Sequence, residues 1–169
     1  KTSFFVLLDD DFLFTKKTDI SLLLNNIVEM NADIVGGVCI DFGFKKRIYD
    51  GVYSVSNGIL NLIISDRKDV IRKVDFCLNF FIAKTEAIIK CPWDNNIKIH
   101  REHDDFFIRA KDMGLVVYHN DLVEIEHHPS TNKKYINSRR IFDIYEQYFN
   151  EKHQVKERYI LGKPTTIKY

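Results

Sequence analysis

The chain has 169 residues, of which 45% are hydrophobic and 13% aromatic, with only seven glycines and three prolines. This composition is typical of one packed domain and excludes a disordered chain, a collagen-like chain and a repeat array. Lys and Arg number 25 against 24 Asp and Glu, a net charge of +1, so no overall field attracts nucleic acid or an anionic membrane. Any ligand must therefore be recognised locally.

The first predicted element is a strand, because an uninterrupted apolar run extends from Phe4 to Leu8. A run without polar alternation is typical of a central strand that helices cover on both faces. A helix from Ile20 to Met30, capped by Thr18 or Asp19, and a second buried strand within residues 33–41 follow. The order strand, helix, strand predicts a parallel pair with a right-handed crossover.

The middle of the chain, residues 42–74, is predicted to form short strands and turns. Its clearest features are a turn at Ser56-Asn57-Gly58 and a hairpin or edge strand from Ile59 to Ile64. An apolar strand within residues 76–83 and a short helix capped near Thr85 come next.

The last part of the chain is predicted to contain a helix from Glu102 to Met113, which Gly114 ends. Two short strands and an amphipathic helix follow in turn, at residues 115–118, 122–125 and 136–150. We assign residues 1–169 to a single α/β domain, with residues 129–169 as a C-terminal helical extension. No apolar run approaches the roughly 20 residues that a membrane helix needs.

Three carboxylates, Asp9 to Asp11, follow the first strand directly. They repel one another, so such a cluster is tolerated mainly at the carboxyl edge of a sheet, where a cation or solvent reaches it. If the strand geometry persists, Asp9 and Asp11 point to the same side and can bind one Mg²⁺ or Mn²⁺, while Asp10 points away. The alternative is a solvated strand end in which the Asp side chains cap a turn.

A second cluster, His100 to Asp105, begins the predicted helix at Glu102. The helix dipole favours acidic residues there, so ordinary capping is one interpretation. The functional interpretation is a general base, because a carboxylate near a bound cation stays ionised and can accept a proton from a hydroxyl nucleophile. A metal between His100 and His103 is a weaker alternative, since the other ligands that zinc prefers are lacking.

Three further features could bind a ligand. Gly36 and Gly37, in the second strand, indicate that something approaches the backbone closely. His127 ends a short strand, where an imidazole could complete a metal shell begun by the aspartates. Trp93, the only tryptophan, lies in a Pro-Trp-Asp loop, where it either packs in the core or stacks against a sugar.

Taken in order, five motifs of residues 4 to 128 resemble those of GT-A glycosyltransferases, and in particular the family 2-like, ganglioside-type β-1,4-N-acetylgalactosaminyltransferases. The motifs are Leu8-Asp9-Asp10-Asp11-Phe12, Asp33-Ile34-Val35-Gly36-Gly37, Leu78-Asn79-Phe80-Phe81-Ile82-Ala83-Lys84-Thr85, His103-Asp104-Asp105-Phe106-Phe107 and Glu126-His127. The resemblance implies a GT-A, Rossmann-like fold with a mixed central sheet flanked by helices. It also leads us to expect the C-terminal part of a catalytic domain, with the N-terminal nucleotide-binding part missing and activity on its own in doubt.

The resemblance also implies roles for individual residues. Asp9, Asp11 and His127 fall on the metal-binding positions, for Mn²⁺ or Mg²⁺. Asp105 falls on the acidic residue assigned as general base, with Asp104 as the alternative. Donor or substrate binding is implied for Asp10, Gly36, Gly37, Asn79, Trp93 and His103.

The implied reaction is inverting transfer of N-acetylgalactosamine, or a related hexosamine or hexose, from a UDP-sugar to a hydroxyl of a glycan or glycoconjugate. The cation neutralises the diphosphate leaving group. The implied partners are the donor and the acceptor, with no nucleic acid and no membrane span in this segment. The compartment follows the source, the Golgi lumen in a eukaryote and the cytoplasm in a bacterium.

Two other functions are consistent with the residues. An Asp-nucleophile phosphatase also begins with an apolar strand and Asp-x-Asp, whose first Asp attacks phosphorus. Such enzymes usually have Thr or Val two positions after the second Asp, where this chain has Leu13. The other alternative is a non-catalytic, sugar-binding or structural segment of the same fold.

Overall fold

The computed structural model describes residues 2–41, 45–47, 49–131, 142–161 and 167–168, and these residues form an α/β architecture. The helices are α1 (Ile20–Glu29), α2 (Thr85–Lys90), α3 (Glu102–Asp112) and α4 (Asp143–His153). The strands are β1 (Phe4–Leu7), β2 (Phe12–Leu13), β3 (Ile34–Asp41), β4 (Lys45–Arg47), β5 (Gly51–Ser56), β6 (Ile59–Ile64), β7 (Ile71–Val74), β8 (Phe81–Lys84), β9 (Val117–His127), β10 (Glu157–Leu161) and β11 (Ile167–Lys168). None of the described helices has both the length and the apolar character needed to cross a membrane.

The larger sheet is mixed and is organised around β3. One edge of β3 pairs in parallel with β9, and the other pairs antiparallel with β8 and then with β4. Strand β1 pairs antiparallel with the far side of β8. Strands β1, β3 and β9 therefore all run in the same direction and end at the same edge of the sheet, which we call the carboxyl edge.

The first strand is not the central strand that its apolar run predicts. Among the described residues β1 pairs with β8 alone, and Phe4 to Leu7 are all only partly buried. The expected parallel pair is also wrong in detail. Strands β1 and β3 do run the same way, but β8 lies between them and pairs with both.

A smaller sheet has the order β10-β6-β5. The predicted turn at Asn57-Gly58 joins β5 to β6, and both residues have positive φ, 52° and 79°, as a two-residue hairpin requires. Strand β10 pairs in parallel with β6, and β11 pairs with β4. The described part of residues 129–169 is therefore not purely helical, because its two strands join both sheets.

Two buried clusters hold the layers together. Residues Leu23 and Ile27 of α1 pack on one face of the larger sheet, together with Val35 and Ile82. The other face packs on α3 and the smaller sheet, through residues that include Phe81, Phe106, Phe107, Leu60 and Leu62. Alternate residues of β8 thus enter opposite clusters, which is the expected pleat of a strand covered on both sides.

The helix predictions are confirmed for α1, which Asp19 caps by accepting a hydrogen bond from the Leu22 amide, and for α3, which ends before Gly114. Thr85 does not cap α2, because its hydroxyl donates to the Thr2 carbonyl instead. The two predicted strands at 115–118 and 122–125 are one strand, β9, whose register with β3 shifts opposite Gly37. The start of the helix predicted at 136–150 lies outside the described residues, and α4 extends to His153.

Candidate functional site

The three aspartates after β1 do not continue the strand. Asp10 and Asp11 form a turn in which the Phe12 amide donates to the Asp9 carbonyl, before β2 begins. The strand geometry that would place Asp9 and Asp11 on the same side therefore does not persist. Asp10 is exposed, whereas Asp9 and Asp11 are partly buried. The Asp9 carboxylate accepts a hydrogen bond of 2.9 Å from the side-chain amide of Asn79.

His127, the last residue of β9, lies between two carboxylates at the carboxyl edge. Its Nδ1 is 2.6 Å from Oδ1 of Asp41, and its Nε2 is 3.4 Å from Oδ2 of Asp11. The ring is fixed further by an edge contact with Phe12, which pairs with His127 across β2 and β9. The parallel ends of β1, β3 and β9 thus bring together residues more than a hundred positions apart.

This arrangement fits a hard divalent cation with two protein ligands. A metal-binding histidine typically has its other ring nitrogen on a carboxylate, and Asp41 supplies that carboxylate here. The remaining nitrogen, Nε2, lies beside Asp11, and Mg²⁺ commonly takes one or two protein carboxylates with the rest of its shell from water and phosphate. No group of three or more His, Cys, Asp or Glu side chains is arranged as a metal site among the described residues, and a ligand role for Asp9 stays a prediction.

Asp41 is the member of this group that sequence reasoning missed. It is the last residue of β3, just as the aspartates follow β1. Because parallel strands end at one edge, a carboxylate at the end of the second predicted strand was a signal for the same site.

A cavity of about 210 Å³ lies next to His127. Its lining includes four polar residues that the sequence analysis assigned to a site, namely Asp9, Asn79, His103 and His127. Tyr49, Cys39 and Cys77 complete much of the wall, and both cysteines are buried. Sites for drug-sized ligands are typically about 300–1,000 Å³, so this cavity would take only part of such a ligand. We call it the donor-side cavity, after the donor or substrate binding that the resemblance implies for Asn79 and His103.

The two glycines of β3 are packed by the chain itself. A Cβ on Gly36 would lie 2.6 Å from the Cys77 sulfur, and a Cβ on Gly37 would lie 2.5 Å from the Phe80 ring and 2.8 Å from the Val123 carbonyl. The close approach that the glycines predict is therefore made by Cys77, Phe80 and β9. Donor binding by Gly36 and Gly37 stays a prediction.

We expect Gly37→Ala to lower the free energy of unfolding by about 2 kcal/mol, because the methyl group overpacks a site bounded by a ring and by backbone. Urea denaturation at neutral pH measures the change. Ser54→Ala, on the exposed side of β5, is the control and should stay within about 0.5 kcal/mol of the unaltered chain. Equal stabilities of the two variants would contradict the packing explanation.

A second cavity, of about 260 Å³, lies beside the loop that carries Trp93, and we call it the Trp93 cavity. Trp93 and Glu102 line it, and Asn79 lines both this cavity and the donor-side cavity. The Trp93 ring packs on Phe106, at 4.2 Å between centroids, and makes an edge contact with His103. Trp93 therefore packs on the core, as one of its two expected roles requires, and it also lines a cavity; stacking of its ring on a sugar stays a prediction.

Asp105, the residue that the resemblance implies as general base, lies in an enclosed ion cluster. It is 1% exposed and lines neither cavity, and its carboxylate contacts Arg109, Lys152 and His153 at 2.7–2.8 Å. Burial would raise the pKa of Asp105, but hydrogen bonds from His153, Lys152 and Arg109 outweigh it and lower the pKa to about 2. A carboxylate so enclosed by cations is a weak proton acceptor, and its position indicates a structural ion cluster.

Asp104, the alternative base, is also enclosed. It accepts hydrogen bonds from the Tyr53 hydroxyl at 3.0 Å and from Arg158 and Arg101 at 3.1 and 3.2 Å. Burial, together with the negative charge of Asp104, raises the pKa of Tyr49 to about 12 and that of Tyr53 well above its ordinary value. Both aspartates therefore join α3 to elements that come later in the chain.

The histidines of this cluster do not face one metal. His100 Nε2 lies 2.7 Å from Glu146 in α4, whereas His103 contacts Trp93 and lies 3.4 Å from Glu102. Arg101 also pairs with Glu146, at 2.6 Å, so α4 is docked on the residues that precede α3. The hydrogen bonds from Arg101 and His100 lower the pKa of Glu146 against the effect of burial, which raises it.

Glu102 is the carboxylate of the acidic cluster that lines a cavity, and the sequence analysis gave it no role. Its side chain is 22% exposed, compared with 8% for Asp104 and 1% for Asp105. Neighbouring residues of a helix point about 100° apart, so only one side of this cluster can face the Trp93 cavity.

The chain was also compared with known proteins. No family model matches it, and no curated protein matches it at a significant level.

Proposed function

We propose that the chain is the catalytic, metal-binding part of an inverting GT-A glycosyltransferase, which transfers N-acetylgalactosamine, or a related hexosamine or hexose, from a UDP-sugar to a glycan hydroxyl. The observation that carries the proposal is His127, held between Asp41 and Asp11 beside the cavity that Asp9 lines. The mixed sheet, with β1, β3 and β9 ending at one edge, is compatible with this fold family.

In this proposal Asp11 and His127 are the residues that would hold a Mn²⁺ or Mg²⁺ ion. When bound, the cation would neutralise charge on the UDP leaving group. Asp41 fixes the orientation of the His127 ring through its contact with Nδ1. Asn79 holds the Asp9 carboxylate beside the donor-side cavity.

Glu102 takes the role of general base in place of Asp105 and Asp104. The acceptor oxygen forms a bond to the anomeric carbon while the bond from that carbon to the diphosphate oxygen breaks, and the hydroxyl proton passes to the Glu102 carboxylate. Direct displacement inverts the anomeric centre. The support for this assignment is that Glu102 lines the cavity next to the donor-side cavity, whereas both aspartates are enclosed by cations and hydroxyl donors.

Titration calorimetry with UDP tests the proposal. We expect UDP to bind only in the presence of Mn²⁺, and Asp11→Ala to weaken that binding at least about tenfold because one of two protein ligands is lost. Asp112→Ala, an exposed aspartate at the end of α3, should bind as the unaltered chain does. Absence of Mn²⁺-dependent binding by the unaltered chain would contradict the proposal and favour a non-catalytic segment.

A further inference from the structure

The Trp93 cavity has the chemical character of a sugar-binding site. Its apolar lining comes from Leu7, Ile97 and Trp93, and its polar lining includes Asn79, Lys98 and Glu102. A pyranose ring presents apolar C–H groups on its faces and hydroxyl groups around its rim. An aromatic ring beside convergent carboxylate, amide and ammonium groups matches both surfaces.

The walls of this cavity are held in place by the core. Trp93 packs on Phe106, which is fully buried, and Ile97 is also buried. Asp94, which also lines the cavity, is engaged by Lys152 at 2.6 Å and by the Tyr148 hydroxyl at 3.2 Å. Glu102 lies 3.4 Å from His103 and joins no comparable ion cluster among the described residues. It is therefore the carboxylate best placed to accept hydrogen bonds from a ligand's hydroxyl groups.

Asn79 connects this cavity to the donor-side cavity. Its side-chain nitrogen donates to Asp9, and its oxygen is buried without a hydrogen-bond partner among the described residues. A buried amide oxygen is costly to leave unpaired, and a ligand hydroxyl would satisfy it. A ligand in the Trp93 cavity would thus lie next to the residues that the proposed function assigns to the donor.

We infer that the Trp93 cavity is the acceptor subsite and binds one sugar residue of the glycan, with Glu102 and Asn79 accepting hydrogen bonds from its hydroxyl groups. The identification of the bound sugar as the acceptor rests on the proposed function, but the binding of a saccharide to this cavity can be measured separately. The volume of about 260 Å³ suits a single pyranose ring rather than an oligosaccharide.

The single tryptophan makes the test direct, because intrinsic tryptophan fluorescence of this chain reports on Trp93 alone. The probes are methyl β-galactoside, methyl β-glucoside and methyl N-acetyl-β-galactosaminide, none of which absorbs at the excitation wavelength, with mannitol as the non-cyclic control. We expect a saturable change in fluorescence with at least one glycoside and none with mannitol. Glu102→Gln should weaken that binding about fivefold, since a hydrogen bond to a charged acceptor becomes one to a neutral acceptor.

The matched control is Glu86→Gln, which changes an exposed glutamate in the first turn of α2, as Glu102 lies in the first turn of α3. It should bind the glycoside as the unaltered chain does. No saturable change with any glycoside, or equal affinities of Glu102→Gln and the unaltered chain, would overturn the subsite. If glycosides bind but UDP with Mn²⁺ does not, the saccharide site stands and the transferase proposal fails. If UDP binds with Mn²⁺ but no glycoside binds, the inference of a saccharide subsite fails and the transferase proposal stands.

Discussion

Replacement of Arg72 by methionine should lower the free energy of unfolding by about 4 kcal/mol, because it breaks a buried ion cluster. Arg72, in β7, is 9% exposed and donates two hydrogen bonds to Asp50, at 2.7 and 2.9 Å. A third bond, at 3.0 Å, reaches Asp121 in β9. Asp50 is fully buried, so loss of the guanidinium leaves a carboxylate without its charged partner inside the protein.

The rest of this cluster explains why the effect is expected to depend on pH. His119 is buried, with Nδ1 3.2 Å from Asp121 and Nε2 3.0 Å from the Gly37 carbonyl. Burial would raise the pKa values of Asp50 and Asp121, but the contacts with Arg72 and His119 outweigh it and lower both. Carboxyl groups with depressed pKa values stabilise the folded state above their ordinary pKa, and that contribution is lost as the pH falls through the depressed values.

Urea denaturation at pH 7 measures the loss, with Lys73→Met as the matched control. Lys73 is the next residue of β7 and is exposed, so its replacement changes the same kind of side chain on the same strand without entering the cluster. The control should stay within about 0.5 kcal/mol of the unaltered chain. If Arg72→Met is no less stable than Lys73→Met, the cluster does not stabilise the fold as argued.

The elements that could be predicted from the sequence are those with local signals. Helix α1 has apolar residues at helical spacing and an aspartate at its N-cap, and α3 is followed by a glycine at positive φ. The Asn57-Gly58 turn similarly carries its own conformational requirement. In each case the deciding interaction lies within a few residues, so periodicity and turn chemistry are sufficient.

The errors concern partners that are distant in sequence. The apolar run of β1 indicates a strand, but nothing in that run shows that β8, some 75 residues later, pairs with it and separates it from β3. The sequence also gives no sign that the strand stops before Asp9 to Asp11. The turn there precedes β2, which pairs with the end of β9, more than a hundred residues later.

The acidic cluster shows the same limit within the candidate site. Three carboxylates of like charge lie within four positions of the chain. Glu102 lines a cavity, whereas Asp104 and Asp105 are buried. The three carboxylates differ in the side chains that contact them. Arg158 contacts Asp104, and Lys152 and His153 contact Asp105, from about fifty residues later in the chain. The sequence predicts the cluster, but the distribution of roles within it follows from tertiary contacts.

Asp105→Asn should lower the free energy of unfolding by about 3 kcal/mol at pH 7, because Arg109, Lys152 and His153 lose the buried carboxylate that they share. Asp112→Asn, on the exposed side of the same helix, should leave stability within about 0.5 kcal/mol. Urea denaturation of the three proteins in parallel measures both differences.

The pH dependence identifies the cause. The folded-state pKa of Asp105 is depressed from 3.8 to about 2, so its contribution is fully present above the ordinary value and is lost as the pH falls towards the depressed one. The difference between Asp105→Asn and the unaltered chain should therefore be constant from pH 7 to about 5 and should shrink between about pH 4 and pH 2. A difference that does not change with pH would point to altered packing rather than to a lost ion cluster.

The same variant separates a structural role from a catalytic one. If Asp105 only holds α3 to α4, Asp105→Asn should be less stable but should still bind UDP with Mn²⁺ under conditions where it is folded, because Asp105 lines neither cavity. A variant as stable as the unaltered chain that binds UDP normally yet transfers no sugar would return the role of base to Asp105. Glu102 would then be left with saccharide binding alone, which the fluorescence titration measures independently.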